Sequence, residues 1–261
     1  IPLILNLAHL QAFQLDKTDA AIELLTEAIR IPSVPARSQA ECKLELGDIY
    51  LFSDNPWEAT LLYSQVDKAF KNEPVGHEAK LRNARLSFYI GEFGWAQAQL
   101  DVLKAATSKL IANDAMELSL LISDNIEEDS LTTPLQQYAR ADLLEFRNRD
   151  AEALAVLDSV IASYPGHSII DDALFKKAEI EVKNGRYQAA AGYYTEIIEK
   201  YPFGLLADDA MYNLAILFEN QLNDKGKAME LYEKILTQYP GSLYVVDARK
   251  HFRALRKDPV N

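Results

Sequence analysis

The sequence predicts an all-α chain built as a stacked array of helix pairs, and three observations carry that prediction. A Tyr-Pro-Gly/Phe stamp recurs at Tyr164-Pro165-Gly166, Tyr201-Pro202-Phe203 and Tyr239-Pro240-Gly241, with the tyrosines 37 (201 − 164) and 38 (239 − 201) residues apart. Each stamp is followed by an Asp-Ala step at Asp172-Ala173, Asp209-Ala210 and Asp247-Ala248. A fixed period of this size marks repeated supersecondary units rather than one globular core. The second observation is a series of alanines, Ala21, Ala59, Ala98, Ala153, Ala190 and Ala228, spaced by 38, 39, 55, 37 and 38 residues. Apolar residues follow most of them three and four places on, as one stripe of an amphipathic helix. The third is composition: only 10 Gly and 10 Pro interrupt 261 residues rich in helix-forming types.

The elements follow in order. The stretch Ile1 to Leu15 carries no charged residue besides His9 and is expected to be a buried helix. The chain starts at Ile1 with no Met, which reads as a fragment or a processed product. Upstream of each alanine lies another amphipathic segment, such as Ala40–Leu51 or Asp171–Val182. Short polar turns join the two: Ser53-Asp54-Asn55-Pro56, Lys183-Asn184-Gly185 and Asn223-Asp224-Lys225-Gly226. Asn55 is expected to cap the next helix, with Pro56 at its first position and Glu58 in its first turn.

The interval of 55 exceeds one period by about half a repeat, or roughly one helix and a turn. Asp114–Ile122 looks like a first helix that lacks its second, followed by Ser123–Pro134 with Asp124, Glu127, Glu128 and Asp129. The expected organisation is an N-terminal lobe of three pairs over residues 1–112. An odd helix and an acidic connection follow over 113–134, then a C-terminal lobe over 135–261. That last lobe holds three pairs and a closing helix from about Ser242 to Lys257. The closing helix carries Arg249, Lys250, Arg253, Arg256 and Lys257. These suit a solvating cap at the end of an array, or a docking patch for acidic partners or lipid headgroups.

With these residues in place, the chain resembles the tetratricopeptide repeat family. Leu46-Gly47, Tyr50, Ala59 and Tyr63 fall in the family's spacing, as do Ala178, Gly185, Tyr187, Ala190, Tyr194 and Pro202. Pro165 and Pro240 repeat the closing proline. The resemblance implies a right-handed superhelical α-solenoid of about six helix pairs plus one odd helix and a C-terminal capping helix. It also implies work as a protein-binding scaffold. The Tyr-Pro-Gly-Ser … Asp-Ala stamp is similar to that of bacterial envelope members, such as the outer-membrane assembly lipoprotein BamD and the Tol-Pal-associated repeat protein. A periplasmic or envelope location is the expectation that follows.

Other classes find little support. A net charge of −12, distributed as −9 over residues 1–130 (11 basic, 20 acidic) and −3 over 131–261 (16 basic, 19 acidic), disfavours a nucleic-acid partner. No apolar run is long enough to span a bilayer. The four histidines are scattered, and His77-Glu78-Ala79-Lys80-Leu81 lacks the second His of a zinc-protease helix. No catalytic residue, metal or cofactor is expected. Cys42 is expected to pack between helices, and Trp57 and Trp95 are expected to fill packing slots. The pairs Asp171-Asp172 and Asp208-Asp209 are expected to cap helix starts.

The resemblance also assigns a groove, lined by the first helix of each unit. Its slots in the first lobe are Leu44, Asp48 and Leu51, then Asn83, Ser87 and Ile90. In the second lobe they are Tyr138, Asp142 and Glu145, then Phe175, Glu179 and Val182, then Tyr212, Ile216 and Glu219. The family's basic clamp for peptide carboxylates is missing from these slots. A row of aromatics beside carboxylates suits a partner segment carrying Lys or Arg with apolar anchors, while the same rings could simply pack neighbouring units. Two alternatives stand beside the scaffold: a helical-repeat enzyme acting on glycans through an Asp/Glu pair, and a homo-oligomeric assembly module.

Overall fold

A computed structural model describes residues 1–106, 109–126 and 132–256. Glu127, Glu128, Asp129 and Lys257 therefore lie outside the described residues. Among the described residues the regular structure is entirely helical, in fourteen helices. Three pairs come first: α1 (Pro2–Phe13) with α2 (Thr18–Arg30), α3 (Ala36–Phe52) with α4 (Pro56–Ala69), and α5 (Pro74–Tyr89) with α6 (Phe93–Ala106). The unpaired α7 (Lys109–Asp124) packs on α6 and α5. Then come α8 (Thr133–Phe146) with α9 (Asp150–Ser163), α10 (Ile169–Lys183) with α11 (Tyr187–Lys200), α12 (Ala207–Asn220) with α13 (Lys225–Gln238), and the closing α14 (Val245–Arg256). This is an all-α helical repeat, an α-solenoid. None of the described helices is long and apolar enough to cross a membrane.

One backbone device makes every pair. The turn between first and second helix holds one residue with positive φ: Asp16, Asp54, Gly91, Asn148, Gly185 and Asn223, with φ from 53° at Asp16 to 83° at Gly91. Left-handed backbone suits Gly, Asn and Asp, because other side chains crowd the carbonyl there. The next residue then donates its amide back into the last turn of the helix. Asn55 N bonds Tyr50 O at 2.8 Å, Glu92 N bonds Ser87 O at 2.9 Å, Arg149 N bonds Leu144 O at 2.9 Å and Arg186 N bonds Glu181 O at 2.8 Å. The helix end is thereby closed and the chain reversed.

The alanine series sits five residues after each of these turns, which corrects its register at one place. Five after Gly91 is Ala96, not Ala98. Ala21, Ala59, Ala96, Ala153, Ala190 and Ala228 are all fully buried. Four places on, Leu25, Tyr63, Leu100, Leu157, Tyr194 and Tyr232 are buried too. Ala98 and Val102 instead face solvent. The same two-residue slip misplaces Trp95: the residue three before the true alanine is Phe93, which is buried, while Trp95 is exposed. Trp57, in the first turn of α4, is exposed as well, so neither tryptophan fills a packing slot.

Other local expectations shift for equally local reasons. Asn55 occupies the position before α4, but its side chain turns back and donates to Ser53 O (2.9 Å) rather than capping the helix. A side-chain cap forms at α13, where Asp224 Oδ1 accepts from Lys227 N at 3.1 Å. Asp171 Oδ1 accepts from Asp172 N at 3.2 Å, whereas Asp209 takes the Tyr244 hydroxyl at 2.6 Å. Helix α1 is not wholly buried. It packs one face, Ala8 and Ala12, onto α2 and α3, and leaves Leu3, Leu7 and Leu10 exposed. Cys42 is buried as expected, and burial pushes its thiol pKa up.

The chain divides into two compact units, residues 1–153 and 154–261. In the first unit, α8 packs on α5, and the turn after α8 reaches back to the opening pairs. Arg147 Nε donates to Leu51 O (3.0 Å), and its guanidinium pairs with Asp54 Oδ1 at 2.8 Å. Asn148 Nδ2 donates to Phe13 O at 3.1 Å. Phe146 sits edge-on to Phe13, with ring centroids 6.0 Å apart, and lies 6.4 Å from Tyr89. These contacts span up to 135 residues of sequence.

In the second unit each pair stacks on the next, α10 with α11, α12 with α13, and α14 on α13. The last two Tyr-Pro turns touch, because the Tyr239 hydroxyl donates to Pro202 O at 2.8 Å. Helix α14 buries Ala248 and exposes Arg249, Lys250 and Arg253.

Glycine contacts show where the helices approach most closely. A Cβ on Gly47 would stand 2.4 Å from Tyr63 Cε1, while one on Gly192 meets nothing within 4 Å. Gly47→Ala is expected to lower stability by about 1–3 kcal/mol through overpacking. Gly192→Ala is expected to raise it by about 0.5–1 kcal/mol by restricting the unfolded chain. Urea midpoints for the two variants and the parent check both signs.

Candidate functional site

The candidate groove residues fall on both units. Tyr138, Asp142 and Glu145 lie on α8 of the first unit, and the other six lie on α10 and α12 of the second. Tyr138 is buried, and Asp142 and Glu145 are half-buried. Asp142 stands near Arg85: burial works against that guanidinium's charge, but Tyr89, Asp142, Asp114 and Glu117 around it raise its pKa above the ordinary value.

On the second unit the rings pack against neighbouring helices. Phe175 meets Tyr194 of α11 edge-on at 5.4 Å, and Tyr212 stacks on Tyr244 at 4.3 Å with the planes 13° apart. Glu219 is held from two sides: Tyr232 donates its hydroxyl to Oε2 at 2.7 Å, and His251 Nδ1 lies 2.8 Å from the same oxygen. Tyr232 and His251 also stack, with centroids 5.2 Å apart. Burial raises the Tyr232 pKa, and its bond to Glu219 adds to the shift. The more open members are Val182, 36% exposed, Glu179, which is exposed and reaches Lys176 at 3.3 Å, and the half-buried Ile216. Glu179 also raises the Tyr194 pKa, after burial, which places its carboxylate near that hydroxyl.

In the first unit the structure gathers a polar set that periodicity and slot matching mostly missed. Of the six slots there, Leu44, Leu51 and Ser87 are buried, and Asp48 becomes a hub. Its Oδ1 accepts the Tyr63 hydroxyl at 2.6 Å, and its Oδ2 accepts from Arg82 at 2.6 Å; Arg82 Nε also donates to Glu78 at 2.9 Å. Beside this triad lies a cavity of about 520 Å³, lined by His9, Phe13, Glu45, Asp48, Arg82 and Phe146 among others. His9 Nδ1 is 2.9 Å from Glu45 Oε1. Glu45, three residues before Asp48, shares its face of α3, the one signal in the sequence that could have found it. His9, Arg82 and Phe146 come from three other helices and leave no local trace. No group of three or more His, Cys, Asp or Glu among the described residues is arranged to hold a metal ion.

Burial raises the Asp48 pKa to about 6 against the opposing pull of Arg82 and the Tyr63 hydrogen bond. The folded value lies above the unfolded one, so the folded state holds this proton longer. The stability this group contributes is full below about pH 4 and is lost as pH rises through about 6. Asp48→Asn carries no such titration. The stability of the variant relative to the parent is expected to rise by on the order of 2 kcal/mol between pH 4 and pH 7. Urea unfolding across that range measures the difference, and a flat difference would mean Asp48 titrates normally.

Profiles described as tetratricopeptide repeat match residues 137–167 and 175–242. No curated protein matches the chain. The two matched stretches cover α8 to α9 and α10 to α13, whose left-handed turns, crossing alanines and buried partners four residues on recur in the pairs before them. The chain carries tetratricopeptide repeats over these stretches.

Proposed function

We propose that the chain is a non-catalytic scaffold that holds a segment of a partner protein along the first helices of its repeats. Tetratricopeptide repeats are in general protein-interaction modules, and their proteins are typically scaffolds rather than enzymes. The observation that carries this reading is on α10. Phe175, Glu179 and Val182 lie four and three residues apart, on one helix face, as a half-open ring, an exposed carboxylate and an exposed aliphatic side chain. On α12, Ile216 stands in the slot that Glu179 holds on α10 and adds a half-buried apolar side chain. Tyr212 and Glu219 complete the proposed surface on the second unit as a ring and an acid anchored by the packing beneath, while Tyr138, Asp142 and Glu145 are proposed as contact residues of the first unit by itself. Such a face favours a segment with Lys or Arg between apolar anchors, at an affinity of roughly micromolar, about −8 kcal/mol. The Tyr-Pro stamp supports an envelope setting, and the net charge supports a partner other than nucleic acid.

A second reading has one observation in its favour. Glu45 and Asp48 face the same cavity, and Asp48 has a raised pKa, which is a pattern suited to glycan hydrolysis. Against it, both Asp48 oxygens are bonded to Tyr63 and Arg82. Turnover of oligosaccharides that disappears in Asp48→Asn would favour the enzyme.

The scaffold is tested with the double variant Glu179→Lys, Val182→Asp, whose sites are exposed enough to leave the fold intact. Affinity capture from the native organism with quantitative mass spectrometry is expected to show partner retention reduced at least about tenfold. Circular dichroism should be unchanged. Undiminished retention by a folded variant overturns the reading.

A further inference from the structure

The cavity of about 520 Å³ carries hydrogen-bonding capacity that the fold leaves unspent. It lies wholly within the first unit, among residues of α1, α3, α5 and the end of α8. Its volume falls in the range of small-molecule sites, roughly 300–1,000 Å³. His9 Nδ1 and Glu45 Oε1 pair at 2.9 Å, while His9 Nε2 and Glu45 Oε2 bond no other described residue. Arg82 gives Nη1 to Asp48 and Nε to Glu78, which leaves Nη2. Asn148 gives Nδ2 to Phe13 O, which leaves Oδ1. The exposed Gln14 side chain, also in the lining, bonds no described residue. Five side chains from three stretches of sequence thus bring both spare donors and spare acceptors to one space.

The arrangement of charge and rings decides what fits. Asp48 Oδ2 lies 2.6 Å from Arg82 Nη1, and Glu45 faces His9, so the lining holds no cluster of one sign to select an ion. What remains is a mixed set of donors and acceptors beside two aromatic rings, Phe13 and Phe146, with centroids 6.0 Å apart. A hydroxyl group donates and accepts through a single oxygen, so a row of hydroxyls can meet Glu45 and Arg82 together. The C–H face of a sugar ring is suited to the electron-rich faces of the aromatic rings. Charged ligands gain less here, because each would have to compete with an ion pair already made.

We propose that this cavity is a binding site for a neutral saccharide of mono- or disaccharide size. The site lies apart from the α10 and α12 face and does not depend on it. Unlike the hydrolase reading, it requires no bond cleavage and asks of Asp48 only that it orient Arg82.

The probes are maltose, cellobiose and N,N′-diacetylchitobiose, with glucuronate and glucosamine as charged counterparts, titrated into the full chain and followed by nuclear magnetic resonance. At least one neutral disaccharide is expected to bind at least about tenfold more tightly than either charged sugar, and to shift the ring signals of Phe13 and Phe146. Glu45→Ala is expected to weaken that binding at least about tenfold, the loss of one hydrogen bond to a charged group. Gln14→Ala, at an exposed side chain, is expected to weaken it severalfold, and circular dichroism checks both folds. The Glu179→Lys, Val182→Asp variant is expected to bind the sugar like the parent, so this test and that of the scaffold are read separately. Binding by none of the three disaccharides, or binding that both cavity variants leave unchanged, overturns the proposal. Tighter binding of glucuronate or glucosamine would assign the cavity to an ion and equally overturn it. So would a synthetic Leu and Lys peptide that displaces the sugar and binds more tightly, which would assign the cavity to a protein segment.

Discussion

Everything in this architecture depends on a close crossing between the two helices of each pair. A reversed helix can lie against its predecessor only if the connecting chain turns sharply and the contact residue is small. The left-handed residue meets the first condition, and the alanine five positions later meets the second. At α3 and α4 a further small residue is needed, because Gly47 lies under the Tyr63 ring. The aromatic or aliphatic residue four places after the alanine then fills the remaining volume, and burial of that side chain supplies the apolar stabilisation.

The polar chemistry follows from the same crossing. Where the filling residue is a tyrosine, its hydroxyl must find an acceptor once it is removed from water. Tyr63 finds Asp48 and Tyr232 finds Glu219, each an acid on the first helix of the pair. Acids in the proposed groove slots are thus also part of the internal hydrogen bonding. Arg82 and His251 then attach the next helices to those acids, α5 in one case and α14 in the other. A carboxylate that serves several helices in this way has less capacity left for a ligand than its slot position implies.

The repeat was legible because its signals are local. Period, closing prolines, crossing alanines and the odd helix all lie within a few residues of their structural causes. The slip at Ala98 shows the limit of apolar patterning alone. Phe93-Gly94-Trp95-Ala96-Gln97-Ala98 offers two alanines two residues apart, and hydropathy does not choose between them. Gly91 does choose, since a residue able to adopt positive φ stands five before every true crossing alanine. The exposure of Trp57 and Trp95 was not legible, because it depends on which way the first turn of each second helix faces. Nor was the set around Asp48. Slot matching named Asp48, but the identity of its neighbours is decided by tertiary stacking across residues 9 to 146.

The long-range contacts of Phe146, Arg147 and Asn148 change how the first unit should come apart. In a strictly linear array each repeat touches only its neighbours, so the ends can fray independently and partly folded forms accumulate. Here the turn after the eighth helix ties the first helix and the end of the third together through Phe13, Leu51 and Asp54. Loosening the opening pair then costs contacts at the far side as well. The first 153 residues should accordingly melt as one cooperative block, with slower assembly than a chain of purely local contacts would show.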